Sequence, residues 1–245
     1  MEDIDIIIGS MGITEERENT MSIKEIYELF EAIGVCTFST LSKGEVHSRI
    51  AHFNGYDDGG IYFRTMWNKP YARQLMETGQ MTVCGVTDSR ILSHDEEYVP
   101  EFPPGYSIRL IGRVRFVVED VIRDKAKTND ELKTAAQDMD KYPAMKKGNF
   151  VIYAAKVEVF DYDFEMKNRE HKILWTRTSF GGMTYELAGP RINERCIGCG
   201  KCYKCCSFHA IEKGSPYRVN PKRCDDCGNC IEVCPVGAIE LSKLF

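Results

Sequence analysis

The sequence predicts a mainly β protein in two parts. Residues 1–187 read as a closed antiparallel barrel with covering helices, and residues 188–245 as a small α+β module. Three observations predict this. About seven short runs rich in β-branched and aromatic residues are joined mostly by tight turns. Few segments show helical spacing. And nine of the eleven cysteines fall between Cys196 and Cys234, in a stretch too short to build a large core of its own. Closing the strands into a barrel removes exposed sheet edges.

The elements follow in order. Residues 1–20 are acidic and weakly patterned and read as an arm or a first strand. Ser22–Gly34 is a helix: Ser22 and Glu25 form an S-x-x-E capping box, and Ile23, Ile26, Leu29, Phe30 and Ile33 recur at helical spacing. Val35–Leu41 is a strand, Lys43-Gly44 a turn, and Glu45–Phe53 the returning arm of a hairpin. A turn at Asp57–Gly60 leads into a strand over Ile61–Thr65. A helix spans Pro70–Glu77, with proline in its first turn. Met81–Val86 is a strand. Residues 88–106 are polar and carry Pro100, Pro103 and Pro104, so they read as a loop. Tyr106–Val118 is a long strand. Asp120–Met139 has helical spacing through Val121, Ala126, Leu132, Ala135 and Met139. Phe150–Phe160 is a strand. Lys172–Thr178 and Met183–Leu187 flank Gly181-Gly182 as a further hairpin. Ala188-Gly189-Pro190 reads as the linker.

The module is an internal repeat. Cys196, Cys199, Cys202 and Cys206 read C-x2-C-x2-C-x3-C. A shift of 28 residues carries them onto Cys224, Cys227, Cys230 and Cys234, with Pro235 behind the last. The same shift superposes Arg195 on Arg223, Gly200 on Gly228, Ala210 on Ala238 and Ile211 on Ile239. This duplication predicts a pseudo-twofold unit. Cys205 has Val233 as its counterpart and reads, like Cys36 and Cys84, as a buried small residue. Disulfides would need an oxidising compartment, and no secretory signal precedes the pattern. Zinc sites also use C-x2-C elements, without usually stacking three cysteines at this spacing; zinc remains the alternative.

The pattern resembles that of bacterial dicluster ferredoxins, over about residues 190–245. The resemblance implies two [4Fe-4S] clusters with crossed fourth ligands. Cys196, Cys199, Cys202 and Cys234 would hold one, and Cys206, Cys224, Cys227 and Cys230 the other. Ser207 stands where that family usually has proline, and serine also suits a helix start.

Composition excludes several classes. The formal charge is −5, from 32 basic and 37 acidic residues, with no basic block, so nucleic-acid binding has no electrostatic support. No apolar run approaches the roughly 18 residues that span a membrane. Many cysteines and no export signal point to a reducing cytoplasm, that of an anaerobe if the clusters are solvent-accessible.

Residues 45–75 carry a second resemblance. The hairpin arm with Arg49, followed by I-Y-F-R-T-M-W-N-K-P-Y-A-R-Q-L, resembles the flavin-binding split barrel of the pyridoxamine 5′-phosphate oxidase-like superfamily. The run I-R-L-I-G-R-V-R-F around Gly112 fits the same family. The resemblance covers about residues 22–160 and implies a homodimer with FMN at the subunit interface. Arg49 and Lys69 would be the phosphate cations. Thr65 would supply a hydroxyl, with Asn68 beside Lys69. Ser48 and Ile50 would present backbone groups. Phe63 and Arg64 would line the ring edge and ribityl chain, and His47 shares the face of Arg49. His52, Trp67, Arg113, His171 and Trp175 read as packing or surface residues. The family's C-terminal R-x-H element does not align with N-R-E-H-K-I-L-W-T-R-T, so its namesake activity is not carried over.

Together these imply an FMN-dependent oxidoreductase. Electrons would pass between two clusters and a flavin that reduces or oxidises a small-molecule substrate, with a ferredoxin or similar donor as redox partner. The alternative is an electron carrier docking on a larger redox enzyme; a third reading is a flavin- or haem-type binding module. No residue selects the substrate, and no dinucleotide fingerprint is present.

Overall fold

A computed structural model of the chain describes residues 21–87, 102–165, 170–184 and 189–241. The expected arm at 1–20, residues 88–101 of the expected loop and residues 185–187 of the expected last hairpin lie outside these.

Helix α1 (Ile23–Ile33) begins at the expected capping box. The Ser22 hydroxyl accepts the Glu25 N–H at 3.2 Å, and the Glu25 carboxylate accepts the Ser22 N–H at 2.7 Å. Gly34, at φ 81°, ends it by donating to the Phe30 carbonyl. The helix buries Ile26, Tyr27, Leu29 and Phe30.

Eight strands make one large sheet: β1 (Cys36–Ser42), β2 (Glu45–Ala51), β3 (Gly55–Asp57), β4 (Gly60–Arg64), β5 (Gln80–Val86), β6 (Phe102–Val117), β7 (Asn149–Glu165) and β8 (Glu170–Phe180). Their order is β2-β1-β5-β6-β7-β4-β3, with β8 also on β7. The registered pairs β1–β2, β1–β5, β5–β6, β3–β4 and β4–β7 are all antiparallel. The sheet curls on itself but is not the closed barrel expected: β2 and β3 are its ends, and no ladder joins them among the described residues. Strands β1 and β4 are four spacings apart along the ladder, roughly 19 Å if the sheet were flat. Yet Phe38 of β1 and Phe63 of β4 have ring centroids 5.7 Å apart. Phe30, Phe38, Phe53, Phe63 and Phe150 fill the enclosed space, each no more than 4% exposed. Burying one such ring contributes about 1.5–3 kcal/mol.

Helix α2 (Pro70–Thr78) starts on proline as expected. The long helix expected over 120–139 is instead three pieces: α3 (Glu119–Lys125), a 3-10 turn (Asp130–Leu132) and α4 (Lys133–Lys141). Asn129 makes the break. Its side-chain oxygen accepts the Glu131 N–H at 3.0 Å, and its amide donates to the Tyr56 carbonyl at 2.7 Å. Four of the periodic residues share one core, Ala126, Leu132, Ala135 and Met139 packing on Tyr62 and Val151 of the sheet, but Ile122 takes the buried place expected for Val121, which is 40% exposed. Strand β6 begins at Phe102, four residues earlier than expected, and β7 runs on to Glu165. Segment 172–178 pairs as part of β8 with β7, and Met183 and Thr184 form no strand.

The chain divides into two compact units. The first comprises Met1–Thr87, Ser107–Glu158 and Arg177–Thr184; the second comprises Asp88–Tyr106, Val159–Thr176 and Tyr185–Phe245. Within the second, the Trp175 N–H donates to the Lys222 carbonyl at 2.8 Å.

The cysteine-rich module has β9 (Pro190–Ile192), α5 (Lys201–Cys205), β10 (Ile211–Glu212), β11 (Arg218–Val219), α6 (Asn229–Glu232) and β12 (Ile239–Leu241). Pro190, expected in the linker, opens β9 and pairs with Leu241. The repeat is written into the backbone. Left-handed residues Gly198, Gly200 and His209 recur 28 positions on as Asp226, Gly228 and Gly237. Aspartate is among the few side chains that tolerate this conformation. Strand pairs β9–β12 and β11–β10 are equivalent. Each is locked by an asparagine: Asn193 bonds Glu240 at 2.7 Å and Asn220 bonds Glu212 at 2.9 Å.

Candidate functional site

In the first unit a cavity of about 890 Å³ opens along β2, the end of β4 and the start of α2. Alternation on β2 places His47 and Arg49 on the inner face, and Val46, Ser48 and Ile50 on the outer one. The cavity touches residues of both faces, because β2 pairs only with β1 among the described ladders and its far edge is uncovered.

Arg49 is held by neutral groups. Its guanidinium donates to the Thr40 hydroxyl and to the Gln74 amide oxygen, both at 2.9 Å, and lies over the Tyr71 ring at 4.2 Å. Thr40 also donates to Gln74 at 2.8 Å. No carboxylate faces this guanidinium among the described residues. Burial lowers the Arg49 pKa from its ordinary value, and the neighbouring Tyr71 works against that shift. Arg64 is a second cation in the wall. It pairs through Nη2 with Asp138 of α4, while its other amino nitrogen, Nη1, is buried without a partner among the described residues. Burial lowers its pKa too, opposed by Asp138. The Tyr71 hydroxyl is likewise buried without a partner among the described residues. Burial raises its pKa, opposed by Arg49. Lys69 stands at the N-cap of α2, so that among the described lining residues three cations meet one carboxylate, that of Asp138.

The expected residues therefore divide. His47, Ser48, Arg49, Ile50, Arg64, Thr65 and Lys69 all line the cavity. Ser48 turns its hydroxyl to Ser39, at 2.8 Å, on the outer face. Phe63 does not line it. Its ring is 2% exposed among Phe38, Tyr71 and Phe150, so it belongs to the core and cannot edge a ligand. Asn68 is exposed on the turn before α2, outside the lining. His52, read as packing or surface, is in the lining. Tyr71, Gln74 and Asp138 were not expected. Tyr71 and Gln74, three apart in a helix, share a face, and that spacing was the available signal. Asp138 had none, because its place depends on how α4 folds back over β4. An anionic ligand with an apolar body suits this cavity: orphaned donors and unmatched cations favour negative charge, and Met66, Pro70 and Met145 add apolar wall.

In the second unit the module brings its cysteines together in two sets. Cys196, Cys199, Cys202 and Cys234 line one cavity with Ile197, Tyr217 and Val236. Cys206, Cys224, Cys227 and Cys230 line another with Asp225 and Phe208. Each fourth cysteine accepts an N–H four residues on: Ala210 to Cys206 at 3.3 Å, and Ala238 to Cys234 at 3.2 Å. Burial pushes the Cys224 thiol up to about 12 and the Cys230 thiol up to about 11. Burial also raises Cys234, but backbone N–H groups led by Ala238 outweigh it and lower that pKa. The sulfurs ring cavities rather than converge on a point: among the described residues no three His, Cys, Asp or Glu side chains could hold a single ion. Thiolates around an apolar hollow, with N–H groups aimed at sulfur, fit iron–sulfur clusters. Loading such sites releases the thiol protons. Cys205, outside both linings, is half-buried and not buried as expected, and it donates to the Cys202 carbonyl at 3.3 Å; of the other two, Cys36 is buried but Cys84 is exposed. Among the described residues no helix is long and apolar enough to cross a membrane.

No curated protein matches the chain. Among solved structures, it is 14% identical to a NimC/NimA family protein from Clostridium acetobutylicum, covering 64% of this chain and 92% of that one with a TM-score of 0.46. It is also 14% identical to an FAD and heme binding protein from Mycobacterium smegmatis, covering 54% and 67% with a TM-score of 0.38. To PhzG from Burkholderia lata it is 16% identical, covering 64% and 85% with a TM-score of 0.36. Likenesses this distant do not bear on function, and the fold rests on the strand pairing itself. Residues 195–238 match the family 4Fe-4S dicluster domain. The chain thus carries an iron–sulfur domain of dicluster type behind a mainly β domain.

Proposed function

We propose that the protein is an FMN-dependent oxidoreductase that exchanges electrons between two [4Fe-4S] clusters and a flavin, acting on a small-molecule substrate. The observation that carries this reading is the cation-rich cavity at Arg49, Arg64 and Lys69, on the same chain as an iron–sulfur domain. A flavin supplies the junction between one-electron carriers and two-electron substrates. The chain's part is to bind and orient it. Arg49, preset by Thr40 and Gln74, and Lys69 at the start of α2 would hold the phosphate. The orphaned Arg64 Nη1 and Tyr71 hydroxyl offer further donors. The eight cysteines of the two sets would hold the clusters in the crossed arrangement.

A homodimer belongs to the same reading. On the outer face of the β1–β2 hairpin, Leu41 opposes Val46, and Ile50 stands four residue pairs further on, past the bonded Ser39–Ser48 pair. These three are 55%, 72% and 69% exposed, an apolar patch suited to a second copy and continuous with the cavity edge. A ferredoxin-like donor is the redox partner in this reading, and the cytoplasm the compartment.

The test is the double variant Arg49→Ala, Lys69→Ala. Each charged hydrogen bond contributes roughly 1.5–3 kcal/mol, so each single change should weaken FMN about ten- to hundredfold. The double variant should purify folded, without flavin and with its iron. Thr40 and Gln74 stay bonded to each other when Arg49 is removed, so the barrel does not depend on it. Undiminished flavin content in that variant rejects the phosphate site. Wild-type protein that takes up no flavin but transfers electrons to a larger enzyme would favour a pure carrier instead.

A further inference from the structure

The pseudo-twofold repeat makes each half of the module a control for the other. Hydrogen bonds to sulfur, net charge and exposure set the potential of an iron–sulfur cluster. Several of these are matched here. The N–H···S bonds from Ala210 and Ala238 are 3.3 and 3.2 Å. The left-handed positions coincide under the 28-residue shift. Cys202 and Cys230 are each 7% exposed, and Cys199 and Cys227 are both exposed, although Cys224 is buried where its counterpart Cys196 is half-buried. The side chains between the ligands are not matched. The first motif reads C-I-G-C-G-K-C-Y-K-C-C, with Lys201 and Lys204 and no acid. The second reads C-D-D-C-G-N-C-I-E-V-C, with Asp225, Asp226 and Glu232 and no base. The difference reaches the cavities: Ile197 lines the first, and its counterpart Asp225 lines the second.

We infer that the two cluster positions are electrically ordered: the one at Cys206, Cys224, Cys227 and Cys230 has the lower reduction potential, and the one at Cys196, Cys199, Cys202 and Cys234 the higher. This rests on reading the cysteines as ligands of two [4Fe-4S] clusters. The cause is elementary. Reduction adds one negative charge to a cluster. Carboxylates on the enclosing loop oppose that charge, and ammonium groups favour it. Asp225 lines its cavity, and Lys201, Lys204, Asp226 and Glu232 each stand within two residues of a cysteine that lines one, while charges act over a screening length of roughly 8 Å at physiological ionic strength. The chain therefore builds a potential step into a module whose backbone is symmetric.

The experiment is a redox titration of the anaerobically purified full chain, followed by electron paramagnetic resonance, with iron and sulfide measured on the same sample. Two separate one-electron waves are expected. Asp225→Asn with Asp226→Asn should raise the lower wave and leave the upper one in place. Ile197→Asp should lower the upper wave alone. If that change blocks cluster assembly, the surface change Lys201→Gln should lower the same wave. Added salt should draw the two waves together. Coincident wild-type waves, or an Asp225/Asp226 variant that moves the upper wave, would overturn the ordering while leaving two clusters in place. Zinc with no sulfide would remove the cluster reading, and the ordering with it.

Discussion

Arg49 shows how a residue's role depends on what surrounds it. On a barrel strand an arginine ordinarily meets a carboxylate or water. Here it meets a hydroxyl, an amide and a ring, and no carboxylate among the described residues. Cys36 is the opposite case, a thiol with no polar task. It is 2% exposed, and burial, helped by nearby Cys84, pushes its pKa up to about 11 from an ordinary 9.0. The native state therefore holds this proton more tightly than the unfolded chain. Its contribution to stability is complete below about pH 9 and is lost as pH rises through about 11. Urea midpoints at pH 8 and pH 10.5 should fall further for wild type than for Cys36→Ala; equal falls would refute the assignment. Cys205 lies outside both cysteine cavities. Cys205→Ala should leave iron and sulfide near eight per chain, the content of two four-iron clusters, and loss of half would make it a ligand.

At the scale of elements, the cavity depends on where strands end. Thr65, just past β4, donates its N–H to the Gly148 carbonyl at 2.9 Å. A Cβ on Gly148 would sit 1.7 Å from the Thr65 carbonyl oxygen, which nothing but backbone movement can relieve. Gly148→Ala should therefore destabilise by about 1–3 kcal/mol, as overpacking does. It should also displace the wall carrying Thr65 and Arg64. A lowered melting temperature together with weaker FMN uptake checks this, and unchanged values of both would contradict it. The split of the expected 120–139 helix has a similar lesson. Asn129 competes for backbone partners, and helical spacing on either side of a capping residue does not reveal the break.

For the whole molecule, the apolar face of the β1–β2 hairpin is where association is expected. Val46→Glu with Ile50→Glu places charge on two outward positions that are each more than two thirds exposed. The variant should keep its secondary structure and shift from dimer to monomer in light scattering. It should lose flavin as well if the partner completes the site. A variant that remains a dimer would place the interface elsewhere.

The module was legible from cysteine spacing alone, because a cluster's ligands must sit at fixed intervals and a duplicated gene segment preserves its register. Its backbone repeat follows that spacing to the left-handed residues. Strands and helices of the larger domain were legible where side-chain period and turn residues agree, as at the α1 capping box and the Lys43-Gly44 hairpin. The cavity was legible only in part. Arg49, Arg64, Thr65 and Lys69 could be named along the chain, but Phe63 looked like their neighbour and proved a core ring. Tyr71, Gln74 and Asp138 come from helices whose contact with β2 and β4 is not encoded locally. Which face of a strand meets the core, and which helix closes over its end, is decided by packing between segments far apart in sequence. Tertiary structure alone settles that, because burial belongs to the assembled surfaces and not to any one residue.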